Sequence, residues 1–284
     1  SDLSAPAFLR AYSPIGWHER AYHLVHTSDR LFVSHRNNGW TSYDIRDPLQ
    51  ANTEEFVTLV GAAGMEYESD ILYVANRFGT VHIYDVSGIV PIEIQEVEGL
   101  ANPWRMALSE EALYVADTTQ GLVVLDISVP SETQKTTDVF GSGGLQDVVV
   151  GDGFLYAAAG GLGVDIFDIL NPLVPEWIGN IPTSYPALTL AIDGQTLWVA
   201  SQQDVIAIDV SDAENPIVHN TEKTRQWAMA VDAYGGYSFV ADWGYVSILS
   251  LDKDVSGGDL HLASTQVFVG EGETELIALK NFGT

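Results

Sequence analysis

The 284-residue chain has no cysteine, only 12 lysines and arginines, and no apolar run longer than a strand. Without cysteine there are no disulfides, no thiolate nucleophile and no thiolate metal ligand. Many exported bacterial proteins also lack cysteine, so this absence does not fix the compartment. The 12 basic residues face 39 acidic ones, giving a formal net charge of -27. That balance opposes binding to a nucleic-acid backbone or an anionic bilayer and fits a solubilising acidic surface. With only strand-sized apolar stretches, membrane insertion by a helix is not expected. The first residue is Ser1, and nothing near it resembles a basic, apolar and small-residue secretion signal.

A period is present instead. Asp44, Asp85, Asp126, Asp168 and Asp209 follow one another at intervals of 41, 41, 42 and 41 residues, and each ends an apolar run. Ser250 stands at the next position in a sixth copy. A second column lies upstream in the pentapeptides beginning at Leu31, Leu72, Leu113, Leu155, Leu197 and Ser238: LFVSH, LYVAN, LYVAD, LYAAA, LWVAS and SFVAD. A period in the low forties with several short apolar runs, punctuated by Gly, Pro and Asp, fits a four-stranded propeller blade better than a helical repeat.

One copy shows the pattern. Trp104–Leu108, Leu113–Asp117, Leu122–Ile127 and Thr133–Phe140 read as strands A to D of an antiparallel meander. Strand B alternates, with Tyr114 and Ala116 on one side and Leu113, Val115 and Asp117 on the other, as in a strand buried between packed sheets. The column Ser34, Ala75, Ala116, Ala158, Ala200, Ala241 is uniformly small, which predicts close approach of a neighbouring sheet. Gly39, Gly79, Gly121, Gly163 and Gly244 sit between B and C, where tight hairpins need positive φ, and Asp204 takes that place in one copy. After strand C, segments such as DIRDP and DISVP place Asp and Ser where they bond nearby backbone N–H groups, so the periodic aspartates read as turn residues.

The run GLVVLDIS from Gly121 to Ser128, preceded by LYVAD and followed by proline, resembles the LVIVD repeat family. The resemblance spans roughly residues 17 to 270 in six copies and implies a β-propeller. It implies no activity, because the shared motif consists of strand and turn residues. Tyr43 before Asp44, the GVDIFD run from Gly163 and Ser250 depart from the pattern.

The expectation is a single all-β domain over 1–284: a β-propeller of four-stranded antiparallel blades, six in number, with seven as the alternative. The units lie at about 17–60, 61–100, 101–143, 144–183, 184–223 and 224–270, and 1–16 and 271–284 contribute to closure. Such a meander puts the starts of the A strands and the B–C hairpins on one face, and the A–B and C–D turns on the other. The second face is predicted to be acidic. The first collects His18, Arg20, Arg36, Arg77, Arg105 and Arg225, with His23 and His35, the aromatics Tyr22, Trp104 and Trp227, and the hairpin residues Trp40 and Trp243.

Arginine forks bind carboxylate, sulfate or phosphate, and aromatic rings stack on sugars. The expected function is therefore a non-enzymatic binding propeller of an exported or surface protein, extracellular or periplasmic. Its ligand-binding residues are Arg77, Arg105, His23, His35, Tyr22, Trp104, Trp227 and Arg36. The partner is an anionic glycan, a small molecule or a protein, and the chain acts as a monomer or within a larger multidomain protein. The alternatives are a polysaccharide lyase or other carbohydrate-active enzyme using the same face, and a structural scaffold. In the bland reading the aromatics pack between blades and the arginines pair with Asp117, Asp147 and Asp242. No cofactor and no metal site are expected, although Asp252, Asp254, Ser256 and Asp259 space oxygen ligands somewhat as a calcium loop does.

Overall fold

The computed structural model describes residues 21–47, 52–139, 141, 143–242, 245–251 and 260–268. His18, Arg20, Trp243, the acidic segment 252–259 and the proposed closing segments 1–16 and 271–284 lie outside the described residues.

The described chain is strand after strand, with one 3-10 turn at Pro130–Glu132. The first sheet is the meander β1 (Ala21–His26), β2 (Arg30–His35), β3 (Gly39–Asp44) and β4 (Asn52–Thr58). The second is β5 (Ala62–Glu68), β6 (Ile71–Asn76), β7 (Thr80–Asp85) and β8 (Ile92–Val97). The third is β9 (Pro103–Ser109), β10 (Ala112–Asp117), β11 (Gly121–Asp126) and β12 (Gln134–Val139), the A to D pattern read from Trp104 to Phe140. The fourth is β13 (Asp147–Gly151), β14 (Phe154–Ala158), β15 (Val164–Asp168) and β16 (Glu176–Ile181).

The remaining strands are β17 (Thr189–Asp193), β18 (Thr196–Asp209), β19 (Ile217–Tyr234), β20 (Tyr237–Asp242), β21 (Tyr245–Leu251) and β22 (Leu260–Phe268). They form one six-stranded sheet. The fold is all-β, a propeller built from four-stranded antiparallel blades, but the described residues make five sheets rather than the six or seven blades expected.

The cause of this merger is local. β18 pairs through Ala200 with Thr189 on one side and from Asp204 onward with Lys223 on the other. Gln202 also pairs with Ala228, which ties the fifth sequence unit to the sixth. In the first four units the B–C hairpin turns at Gly39, Gly79, Gly121 and Gly163, all at positive φ, whereas here the left-handed residue is Gln202 at φ 50. The crossing from strand D to strand A of the sixth unit, NTEKTRQWAMA, holds no glycine or proline, so β19 stays extended for 18 residues. The earlier crossings contain Gly61, Pro103, Gly143 and Pro182.

Two compact units divide the chain: one holds β1–β12 with 147–148 and 171–175, the other the described residues of 149–170 and 176–268. In the first, two cores lie between successive sheets. Tyr73, Ala75 and Ile83 pack with Met106, Leu113 and Val115, while Phe32 and Trp40 pack with Met65, Leu72 and Tyr84. The small column is filled as sterics require: Ala75, Ala116 and Ala158 are fully buried, each beside an aromatic of strand B. In the second unit Tyr156, Ala158 and Ile166 pack with Leu197, Val199 and Ile206 in the same manner.

Candidate functional site

The periodic aspartates are turn residues. Asp44, Asp85, Asp126, Asp168 and Asp209 each accept the backbone N–H two residues on, from Arg46, Ser87, Ser128, Leu170 and Ser211, at 2.8–3.0 Å. Hydrogen bonds from the Ser87 and Ser128 hydroxyls and backbones lower the pKa of Asp85 and Asp126. The Arg46 side chain brings the pKa of Asp44 to about 2. Carboxylates held ionised in exposed turns are poor proton carriers.

The site residues gather where β5 packs between β1 and β9. Gly64 on β5 permits this approach: a Cβ there would stand 2.6 Å from the Trp104 carbonyl oxygen and 2.9 Å from the Arg105 Cα. Arg105 donates from Nη2 to the Tyr22 carbonyl at 3.3 Å. The Tyr22 ring meets Trp104 edge to face, with centroids 5.6 Å apart. Arg36, in the β2–β3 turn, donates to the Tyr22 hydroxyl at 2.9 Å and holds its guanidinium 5.5 Å from the ring. Arg77, in the β6–β7 turn, lies 5.9 Å from the Trp104 ring. Three arginines and two aromatic rings, contributed by all three sheets of the first unit, thus form one contiguous array.

A further ionisable residue, which sequence reading missed, is Glu66. It sits on β5 directly after Met65, whose N–H donates to His23 Nδ1 at 3.0 Å. That bond places the His23 proton on Nε2 when the ring is neutral. Burial, reinforced by the nearby negative charge of Asp147, pushes the Glu66 carboxyl up to about 8. Burial also lowers the pKa of Arg105, while Asp147 acts to raise it. Glu66 lies in MEYES, where other units have MALSE or DVVVG, and no motif marks it.

Two other expected members are enclosed. His35 is enclosed, at 1% exposure, with Nε2 2.9 Å from the Thr41 hydroxyl. Trp40 is fully buried in the core beside Phe32 and Tyr84. Trp227 belongs to the second compact unit, on β19, where it is 48% exposed. Among the described residues Asp117 is held by backbone rather than arginine: its carboxylate accepts the N–H groups of Ala101, Asn102, Thr119 and Gln120 at 2.8–2.9 Å. Asp147 does interact with Arg105, as the bland reading expected.

A cavity of about 420 Å³ opens elsewhere in the first unit, among Glu68, Tyr73, Glu110, Glu111 and Ser128. Glu68 ends β5, Tyr73 lies on β6, Glu110 and Glu111 form the β9–β10 turn and Ser128 follows β11, and the three glutamates suit no anion.

Three segments of the chain, residues 102–134, 142–183 and 227–251, match the LVIVD repeat. No curated protein matches the chain in sequence. Several solved structures share the fold. A Lactobacillus plantarum protein is 13% identical with a TM-score of 0.74, covering 84% of this chain and 82% of its own. The periplasmic gluconolactonase of Pseudomonas aeruginosa is 15% identical with a TM-score of 0.70, covering 84% and 81%. The computationally designed Ika8 protein is 13% identical with a TM-score of 0.64, covering 83% and 72%.

Proposed function

We propose that this chain, an LVIVD-repeat propeller, is a binding protein of an exported or surface setting that captures an anionic or carbohydrate-like ligand on its arginine and aromatic array. The observation that carries the reading is the clustering of Arg36, Arg77 and Arg105 around Tyr22 and Trp104 in a chain of net charge -27. Positive charge is scarce, yet three of the 12 basic residues meet here, Arg36 and Arg105 on Tyr22 and Arg77 beside Trp104. Guanidinium groups fork to carboxylate or sulfate, and the ring faces supply stacking area for a sugar.

Calorimetry with trigalacturonate and with a sulfated heparin tetrasaccharide tests this reading. Binding of either, weakened tenfold or more by Arg36→Ala combined with Arg77→Ala, is the expected result. Absence of binding by the wild-type chain, or equal binding by the double variant, overturns it.

A second reading, a polysaccharide lyase or other carbohydrate-active enzyme at the same place, is favoured by Glu66. A carboxyl that titrates near 8 can give or take a proton under ordinary conditions, and Asp147, whose charge helps raise it, also acts on Arg105 of the array. Formation of unsaturated oligogalacturonate, abolished by Glu66→Gln, is the assay for it. No product from any uronate polymer leaves the binding reading in place.

A further inference from the structure

The second sheet carries a cluster apart from the arginine array. His82 lies on β7, and its Cα partner across the ladder is Glu96 on the edge strand β8. Glu93, three residues earlier on β8, reaches the same imidazole. His82 Nδ1 is 2.6 Å from Glu93 Oε1, and His82 Nε2 is 3.7 Å from Glu96 Oε1 and 2.9 Å from the Thr80 hydroxyl. His82 is 7% exposed, whereas the two carboxylates face solvent.

The fourth sheet fills the same three positions differently. Asp165 stands three residues before the periodic Asp168, as His82 does before Asp85, and it pairs with Asn180. Trp177 is three residues before Asn180. There the Trp177 indole N–H and the Asn180 amide both donate to Asp165 Oδ1, at 3.1 and 3.0 Å. One anion is matched by two neutral donors. At the equivalent places the second sheet sets two carboxylates around one imidazole, so negative charge is left over whenever the ring is neutral.

The distances say what would balance it. With Nδ1–H donating to Glu93, the Nε2 lone pair accepts from the Thr80 hydroxyl at 2.9 Å, a neutral donor that a metal ion can displace. A metal-binding histidine is oriented by a carboxylate on its other nitrogen in this way. The Nε2 to Glu96 gap is too long for a hydrogen bond. Two ligands at zinc distances and a tetrahedral angle stand roughly 3.4 Å apart, close to that gap.

We propose that His82 and Glu96 bind a divalent transition-metal ion of the zinc class, with Glu93 holding the imidazole in register. The nitrogen ligand selects zinc, cobalt or nickel over calcium and magnesium. Solvent and the neighbouring Thr80 hydroxyl complete the shell. The site is separate from the arginine array and does not depend on its ligand.

Calorimetric titration of the metal-free, full chain with zinc chloride tests the proposal, with calcium chloride in parallel. Expected are uptake of about one equivalent of zinc, a higher thermal midpoint, and little response to calcium. Glu96→Gln, on an exposed side chain, keeps the fold and weakens zinc at least tenfold; Glu93→Gln weakens it about tenfold or more. Cobalt(II) should give visible absorption bands that Glu96→Gln removes. No zinc uptake by the wild-type chain, or uptake and cobalt bands unchanged in both Glu96→Gln and His82→Gln, overturns it and leaves a histidine serving only as a hydrogen-bonding bridge between strands.

Discussion

Arg105 on β9 hydrogen-bonds the backbone carbonyl of Tyr22 on β1, 83 residues away, and it does so beside a strand, β5, that packs against both. The contact joins the first and third repeats through the side chain that the proposed ligand would meet. Arg105 is therefore expected to act twice, in fixing Tyr22 and in recognition. Arg105→Met, which keeps most of the packing volume, should weaken trigalacturonate binding more than it lowers the urea midpoint. A variant that unfolds more readily but binds as before would assign Arg105 to structure alone.

Gly64 makes that geometry available. Gly64→Ala drives a methyl against the backbone of Trp104 and Arg105, which no side-chain rotation relieves. Overpacking of this kind costs about 1–3 kcal/mol, readable in urea unfolding, and should displace the Trp104 ring enough to change its fluorescence.

Asp117 gives the largest expected loss outside the hydrophobic core. Its buried carboxylate satisfies four backbone N–H groups, so Asp117→Ala strands them without water. Unsatisfied buried donors cost about 1–3 kcal/mol each at most, and partial repair by solvent should leave a total of about 3 kcal/mol or more. Chemical denaturation measures it.

Glu66 makes stability depend on pH with a definite sign. Its folded pKa of about 8 lies above the ordinary glutamate value of 4.5, so between those values the folded chain holds a proton that the unfolded chain has released. The stabilising contribution is whole below about pH 4.5, falls as pH rises through 8, and is gone beyond it. Glu66→Gln, which cannot ionise, should flatten this part of the profile and stabilise the chain at pH above 8 relative to wild type, as followed by thermal unfolding across the range. A wild-type profile identical to that of Glu66→Gln would show that solvent reaches the carboxylate freely.

Tyr22→Phe separates ring from hydroxyl. It removes the Arg36 hydrogen bond but keeps the edge-to-face contact with Trp104, so the fold should change by about 1 kcal/mol or less. If Arg36 must be held to meet an anion, ligand affinity should fall severalfold. Unchanged affinity would show that Arg36 binds from a mobile position.

The spacing of the aspartates at 41 or 42 residues, the LYVAD-type pentapeptides and the glycines between strands B and C determined the blade. Each of these is a local demand: alternation for a buried strand, positive φ for a hairpin, an acceptor for a turn N–H. The merged sheet was written in the sequence too, in the missing hairpin glycine and the breaker-free crossing before Trp227, but only pairing of Gln202 with Ala228 turned those absences into one six-stranded sheet. Burial was decided by tertiary structure. His35 and Trp40 have the composition of binding residues yet are enclosed, whereas Tyr22 and Trp104 stay partly open. The sequence likewise does not distinguish Glu66 from other glutamates, since its pKa arises from the desolvation and charge that packing creates. Local pattern sets which backbone shape each segment takes. Which side chains share a dielectric, and which remain within reach of water, depends on strands distant in sequence meeting in space.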